Sequence, residues 1–139
     1  MQVQPYLFFE GRCDEAAAFY AQAVGAEVTF LMRYKDAPKP PQEDMVARED
    51  WDKVMHMSLK IGDTTVFASD GQVRHQPAFS GFALSLTVTD EAEAEARFAA
   101  LADGGEVQMP MGPTFFSPRF GMLSDRFGVM WMVYVAPAA

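Results

Sequence analysis

Gly25-Ala26-Glu27-Val28 and Gly104-Gly105-Glu106-Val107 are one four-residue passage met twice, each time just after an amphipathic stretch. Before the first copy, Asp14 to Val24 carries apolar residues at Ala16, Phe19, Tyr20, Ala23 and Val24, the spacing of one helical face, and Gly25 is placed to cap its end. Before the second, Ala94, Phe98 and Leu101 make a similar face that ends at Gly104-Gly105. Tyr20-Ala21 lies over Phe98-Ala99, with one residue inserted before the glycines. Asp90 followed by Glu93 has the spacing of a capping box, with Thr89 as the alternative cap.

The same order of elements extends outward from both copies. Pro5 to Phe9 and Phe82 to Val88 read as opening strands, rich in aromatic and branched residues. Glu27 to Tyr34 and Glu106 to Met109 read as strands directly after the helices. Two hairpins close the halves. Val54 to Lys60 and Thr64 to Ser69 flank Ile61-Gly62-Asp63, and Phe120 to Ser124 and Val129 to Val135 flank Asp125-Arg126-Phe127-Gly128. Lys35 to Trp51 and Pro110 to Pro118 are proline-bearing loops, the first charged and expected to be the mobile lid or the least ordered segment. The pattern is α+β: two tandem β-α-β-β-β units in a single domain, with a first half 1–70, a linker 71–80 and a second half 81–139.

Composition narrows the partners. At 139 residues, half of them hydrophobic, the chain buries a core without staples. Cys13 has no second cysteine to pair with, and no basic, apolar leader precedes the domain, so a reducing, cytoplasmic setting is expected. With no histidine adjacent, Cys13 reads as a structural thiol at a helix end. The longest apolar run, Val129 to Ala139, is too short to span a bilayer. The net charge is −8 and the 11 Lys and Arg are scattered. No basic stripe exists to displace counterions, so neither nucleic acid nor a membrane is an expected partner.

Pro5-Tyr6-Leu7-Phe8-Phe9-Glu10-Gly11, Ala18-Phe19-Tyr20, His56-Met57-Ser58-Leu59 with Ile61-Gly62-Asp63, and the closing run Phe120-Gly121-Met122, Asp125-Arg126-Phe127-Gly128 and Trp131-Met132 resemble the PhnB-like branch of the vicinal oxygen chelate superfamily. That superfamily includes glyoxalase I, extradiol dioxygenases, and bleomycin and fosfomycin resistance proteins. The likeness covers nearly the whole chain. It implies a U-shaped, open eight-stranded barrel-like sheet with helices outside and a pocket inside the U, where the first and last strands of each half converge. Members of this branch are often labelled demethylubiquinone methyltransferases. The chain has no glycine-rich turn between a strand and a helix of the kind a nucleotide-type cofactor uses.

Metal-dependent members of the superfamily hold a divalent ion with His, Gln and Glu side chains on those strands, leaving positions open for a chelating substrate. Carried onto this chain, the ligand positions fall on Pro5, Ala83, Met132 and near Val66, and none supplies a donor for a hard or borderline metal. No metal and no cofactor are therefore expected at the inherited site.

His56 is the candidate catalytic residue, because imidazole is the group best suited to acid–base work near neutral pH. The plainer reading is a histidine hydrogen-bonded within its sheet. His75 reads as exposed linker. Leu7, Phe9, Phe115, Arg119, Trp131 and Met132 are the candidate ligand-binding residues. Strand alternation puts Trp131 and Met132 on opposite faces, and Arg119 is placed either to clamp an anion or to pair with surface acids. Glu10 stands at the rim as a candidate proton acceptor. Asp125 and Arg126 read as shaping their hairpin.

Three functions fit. The first is metal-independent binding of a small, partly aromatic or anionic molecule. The second is a lyase, isomerase or dioxygenase-type enzyme using His56 or a non-standard metal site. The third is a scaffold whose cleft is vestigial. A homodimer is expected, because open sheet edges and large apolar side chains such as Phe8, Phe30, Phe79 and Phe82 need cover.

Overall fold

Each helix begins and ends where the sequence supplies the chemistry to do so. The structure, a computed structural model, describes residues 1–39, 41 and 45–137. Helix α1 (Cys13–Val24) buries Ala16, Tyr20, Ala23 and Val24 along one face and stops at Gly25, whose left-handed φ of +69° lets its N–H return to the Tyr20 carbonyl. Helix α2 (Glu91–Ala102) buries Ala94, Phe98 and Leu101. Asp90 is its cap: one carboxylate oxygen accepts from the N–H groups of Ala92 and Glu93 at 2.6 and 3.2 Å.

The eight strands divide into two sheets of four with the same internal order. In the first unit (Met1–Ala78), β1 (Tyr6–Phe8), β2 (Glu27–Arg33), β3 (Val54–Ile61) and β4 (Thr64–Ser69) are ordered β1-β4-β3-β2. In the second (Phe79–Ala139), β5 (Leu84–Val88), β6 (Glu106–Gly112), β7 (Phe120–Ser124) and β8 (Met130–Val135) are ordered β5-β8-β7-β6. The opening strand of each unit runs parallel to its last strand, Tyr6 opposite Phe67 and Leu84 opposite Trp131, and the other pairings are antiparallel. This is the tandem β-α-β-β-β arrangement.

Period-two alternation sorts the side chains of each sheet. In the first unit Leu7, Met57, Leu59, Val66 and Ala68 are buried with Phe9 and Tyr20, whose rings lie 6.0 Å apart. In the second, Leu123, Trp131, Val133 and Val135 are buried with Phe98 and Leu101. A Cβ at Gly121 would meet the Phe98 ring at 2.7 Å, which identifies that face of β7 as the helix side.

Two expectations change. β6 runs on to Gly112, so Pro110 lies inside a strand instead of opening a loop. An edge strand with register shifts tolerates a residue that has no N–H to donate. Among the described residues of the loop expected over Lys35 to Trp51, there are 3₁₀ turns at Tyr34–Asp36 and Arg48–Asp50, and Val46 is buried with Tyr34 and Val73 against Trp51 and Met55. Pro40, Glu43 and Asp44 of the expected lid lie outside the described residues. Val73, from the expected linker, packs within the first unit.

Candidate functional site

The open face of the first sheet carries a connected group of rings. Tyr6 and Phe8 point there from β1, because the residue between them, Leu7, is committed to the core. The parallel register sets Phe67 of β4 opposite Tyr6, and β3 brings His56 alongside. Ring centroids lie 5.0 Å apart for Tyr6 and Phe8, 5.6 Å for Tyr6 and His56, 5.4 Å for His56 and Phe67, and 5.9 Å for Phe30 and His56. All are tilted contacts within the range where aromatic pairs attract. Within the group the Tyr6 hydroxyl and His56 Nδ1 are 3.1 Å apart, a hydrogen bond. When Tyr6 donates in it, His56 carries its ring proton on Nε2. The face thus combines π surfaces with one hydroxyl–imidazole pair. Phe8 and Phe30 remain about half exposed, so the surface is accessible.

The residues nominated from sequence separate. His56 joins the ring group. Leu7 and Phe9 are buried in the helix-side core, where Phe9 meets Tyr20. Trp131 is buried on the helix side of β8 and donates its indole N–H to Asp125 Oδ2 at 2.9 Å. Packing therefore uses the side chains of these three residues inside the core. Met132 lies on the open face of the second sheet. Phe115 stands fully exposed beyond β6, edge-on to Phe116 at 5.1 Å. Arg119 takes the surface option, with Nε 3.5 Å from Glu95 and 3.8 Å from Glu91 of α2. Glu10 Oε1 accepts from the Arg74 N–H at 3.2 Å, holding the loop after β4. His75 is exposed, with Nε2 3.7 Å from Asp50. Asp125 shapes its hairpin, Oδ1 accepting from the N–H groups of Phe127 and Val129 at 2.9 and 3.1 Å.

Sequence reasoning missed Tyr6, Phe30 and Phe67 as partners of His56. Their signal was present in the alternation of Tyr6 with Leu7, but it acquires meaning only once β1 is paired with β4. It also missed Asp70, which is fully buried and fastens three chain segments. Oδ1 accepts from the N–H groups of Gly11 and Cys13, both at 2.9 Å, and Oδ2 accepts from that of Val54 at 2.8 Å. These bonds fix the turn between β1 and α1 against the start of β3, the strand that carries His56.

No helix is long and apolar enough to cross a membrane among the described residues. Among the same residues, no three His, Cys, Asp or Glu side chains are gathered as a metal centre of those donors requires. Pro5, Ala83 and Met132, and Val66 near the fourth position, where the resemblance would put a divalent ion, have no nitrogen or oxygen donor in their side chains.

Comparison with known proteins agrees with this architecture. Residues 1–134 match the family model described as 3-demethylubiquinone-9 3-methyltransferase. Protein YjdN of Escherichia coli is 30% identical, over 97% of this chain and 95% of its own. The crystal structure of PA1353 from Pseudomonas aeruginosa is 41% identical with a TM-score of 0.84, covering 98% of both chains. The PhnB protein from Bacillus cereus is 30% identical with a TM-score of 0.78, covering 98% of this chain and all of the other. The fosfomycin resistance protein FosX of Listeria monocytogenes shares the fold at 11% identity, with a TM-score of 0.63 over 99% of this chain and 93% of its own. The chain belongs to the PhnB-like family described as 3-demethylubiquinone-9 3-methyltransferase, and it has the fold of the fosfomycin resistance protein.

Proposed function

We propose that this protein binds a small, partly aromatic molecule on the open face of its first sheet, without a divalent metal. The observation that carries this reading is the Tyr6–His56 hydrogen bond set among the rings of Phe8, Phe30 and Phe67. Aromatic faces favour a flat ligand, and the hydroxyl–imidazole pair offers it one donor and one acceptor. Binding is preferred to methyl transfer, which the family's description names, because the chain has no glycine-rich strand-to-helix turn to hold a nucleotide-type cofactor. The reading includes a homodimer in a reducing cytoplasm. Exposed Val28 and Leu31 on edge strand β2, and Val107 on edge strand β6, support association. Sedimentation at the mass of one chain would remove the dimer from the reading.

Calorimetry with 1-naphthol and its saturated counterpart decahydro-1-naphthol, with and without EDTA, tests the binding claim. We expect the aromatic compound to bind at least about fivefold tighter, as one or two ring contacts allow. EDTA should leave its affinity unchanged, and His56→Ala should weaken it. Equal affinity for the two compounds, or indifference to His56→Ala, refutes the reading. The same hydrogen bond favours a second reading, an acid–base enzyme of lyase or isomerase type in which His56 moves a proton and Tyr6 orients it. Turnover that follows a single ionisation and vanishes in His56→Ala would select that reading.

A further inference from the structure

The open face of the second sheet is chemically unlike that of the first. Register places Met109 of β6 opposite Met122 of β7, and Met122 opposite Met132 of β8. Directly paired residues of neighbouring antiparallel strands share a face, with Cβ atoms about 5 Å apart. Three thioether arms therefore stand in one row across three strands, and Met130 lies beside Met132 two residues along the same strand. The row faces away from α2, because the intervening residues Leu123, Trp131 and Val133 are the buried ones.

Methionine falls on one face in β7 and β8, whereas in β6 Met111 takes the helix side, its Sδ beside Gly121 and Phe98. In β7 and β8 the helix side is built from Gly121, Leu123, Trp131, Val133 and Val135, while Met122, Met130 and Met132 all fall on the open side. Met111 fills space against the helix, and the other methionines of the sheet, Met109, Met122, Met130 and Met132, do not share that face. Met109 is about half exposed, and Met122, Met130 and Met132 are partly so, which leaves the row open to solutes. Neutral, polarisable sulfur is a poor partner for Zn²⁺ or Mg²⁺ and a good one for a soft monovalent ion. Hydroxyl oxygens flank the row at Ser85, paired with Met132, and at Ser124, which accepts from the Gln108 amide at 3.0 Å, so thioether sulfur is the preferred donor there only for a soft ion. The paired rings of Phe120 and Tyr134, 6.3 Å apart on the same face, add π surface that favours a cation.

We propose that Met109, Met122 and Met132 form a thioether site for Cu(I). All three residues belong to the second unit, Phe79–Ala139.

Silver(I), which shares the soft coordination chemistry of Cu(I) without its redox chemistry, is the first probe. The full-length protein, labelled with ¹³C at the methionine methyl groups, is titrated with silver nitrate in chloride-free buffer. One equivalent should shift the methyl resonances of Met109, Met122 and Met132, while Met45, Met55 and Met57 stay in place. The second probe is anaerobic competition for Cu(I) with bicinchoninate. Wild-type protein should withdraw about one equivalent, and Met122→Leu should lose at least tenfold in affinity while keeping its far-ultraviolet circular dichroism. Cys13→Ala, which removes the alternative sulfur ligand, should retain the copper. Unshifted row resonances, shifts confined to other methionines, or copper binding lost in Cys13→Ala but kept in Met122→Leu would each overturn the proposal.

Discussion

Asp70 accepts the backbone N–H of Cys13 at 2.9 Å although the two residues are 57 positions apart in the chain. Arg12, at the cap position of α1, makes no side-chain cap hydrogen bond, so a carboxylate from the end of β4 does that work. With Gly11 and Val54 as its other donors, Asp70 is a buried acceptor with three backbone partners. Removing it strands the N–H groups of Cys13 and Val54 in buried positions and that of Gly11 in a part-buried one. Leaving a buried donor unsatisfied costs about 1–3 kcal/mol, and the three losses overlap. Asp70→Ala is therefore expected to lower unfolding stability by about 3 kcal/mol or more in urea titrations. A loss under about 1 kcal/mol would show that the node is dispensable.

The same environment decides the reactivity of Cys13. Burial pushes its thiol well above the ordinary range, and the nearby Asp70 and Asp14 carboxylates push it further. Nucleophilicity belongs to the thiolate, which is negligible here at neutral pH. Native protein should leave a disulfide reagent such as 5,5′-dithiobis(2-nitrobenzoate) unreacted over an hour and release one equivalent of chromophore in denaturant. Prompt native labelling would mean that the helix start opens readily.

The fold was legible because both units carry the same local signals. Asp90 caps α2, Gly25 ends α1, and the two hairpins sit where glycine and aspartate place them. The strand through Pro110 was not legible, since only the position of β6 at a sheet edge makes proline acceptable there. The site was half legible. His56 stood out by residue type, but its partners come from β1, β2 and β4, and cross-strand register is a property of the assembled sheet. Leu7, Phe9 and Trp131 look like ligand aromatics or apolar contacts in one dimension and serve packing in three. Asp70 is invisible to local reading because all three of its partners are distant in sequence.

The internal repeat predicts an asymmetry in tolerance. Ala26 and Gly105 occupy corresponding positions, yet Ala26 carries its Cβ in the buried layer, whereas a Cβ on Gly105 would fall 2.8 Å from the carbonyl carbon of Asp125 and into contact with the Ser124 carbonyl. Backbone on that side cannot yield as a flexible side chain would. Gly105→Ala is expected to cost about 1–3 kcal/mol through overpacking, and Ala26→Gly less, about 1 kcal/mol. Thermal melts of the two variants check the order. A more stable Gly105→Ala would mean that the second hairpin shifts at little cost.

Asp14 and Arg33 supply a pH signature. Arg33 donates to both carboxylate oxygens of Asp14, at 2.8 and 3.0 Å, which ties the first turn of α1 to the end of β2. This bidentate pairing holds the Asp14 carboxyl below its ordinary value and raises the guanidinium of Arg33. A carboxylate whose folded-state value is depressed contributes stability that is complete above its unfolded value, about pH 4, and is lost as pH falls through the folded value. About half of the Asp14 side chain is exposed, so solvent screening limits the contribution to under about 1 kcal/mol. Asp14→Asn should therefore lie below wild type by that margin from pH 7 down to about pH 4, and the gap should narrow at lower pH. Urea denaturation preserves the charge interactions and is the measurement of choice. A gap that widens below about pH 4 would place the titrating group elsewhere.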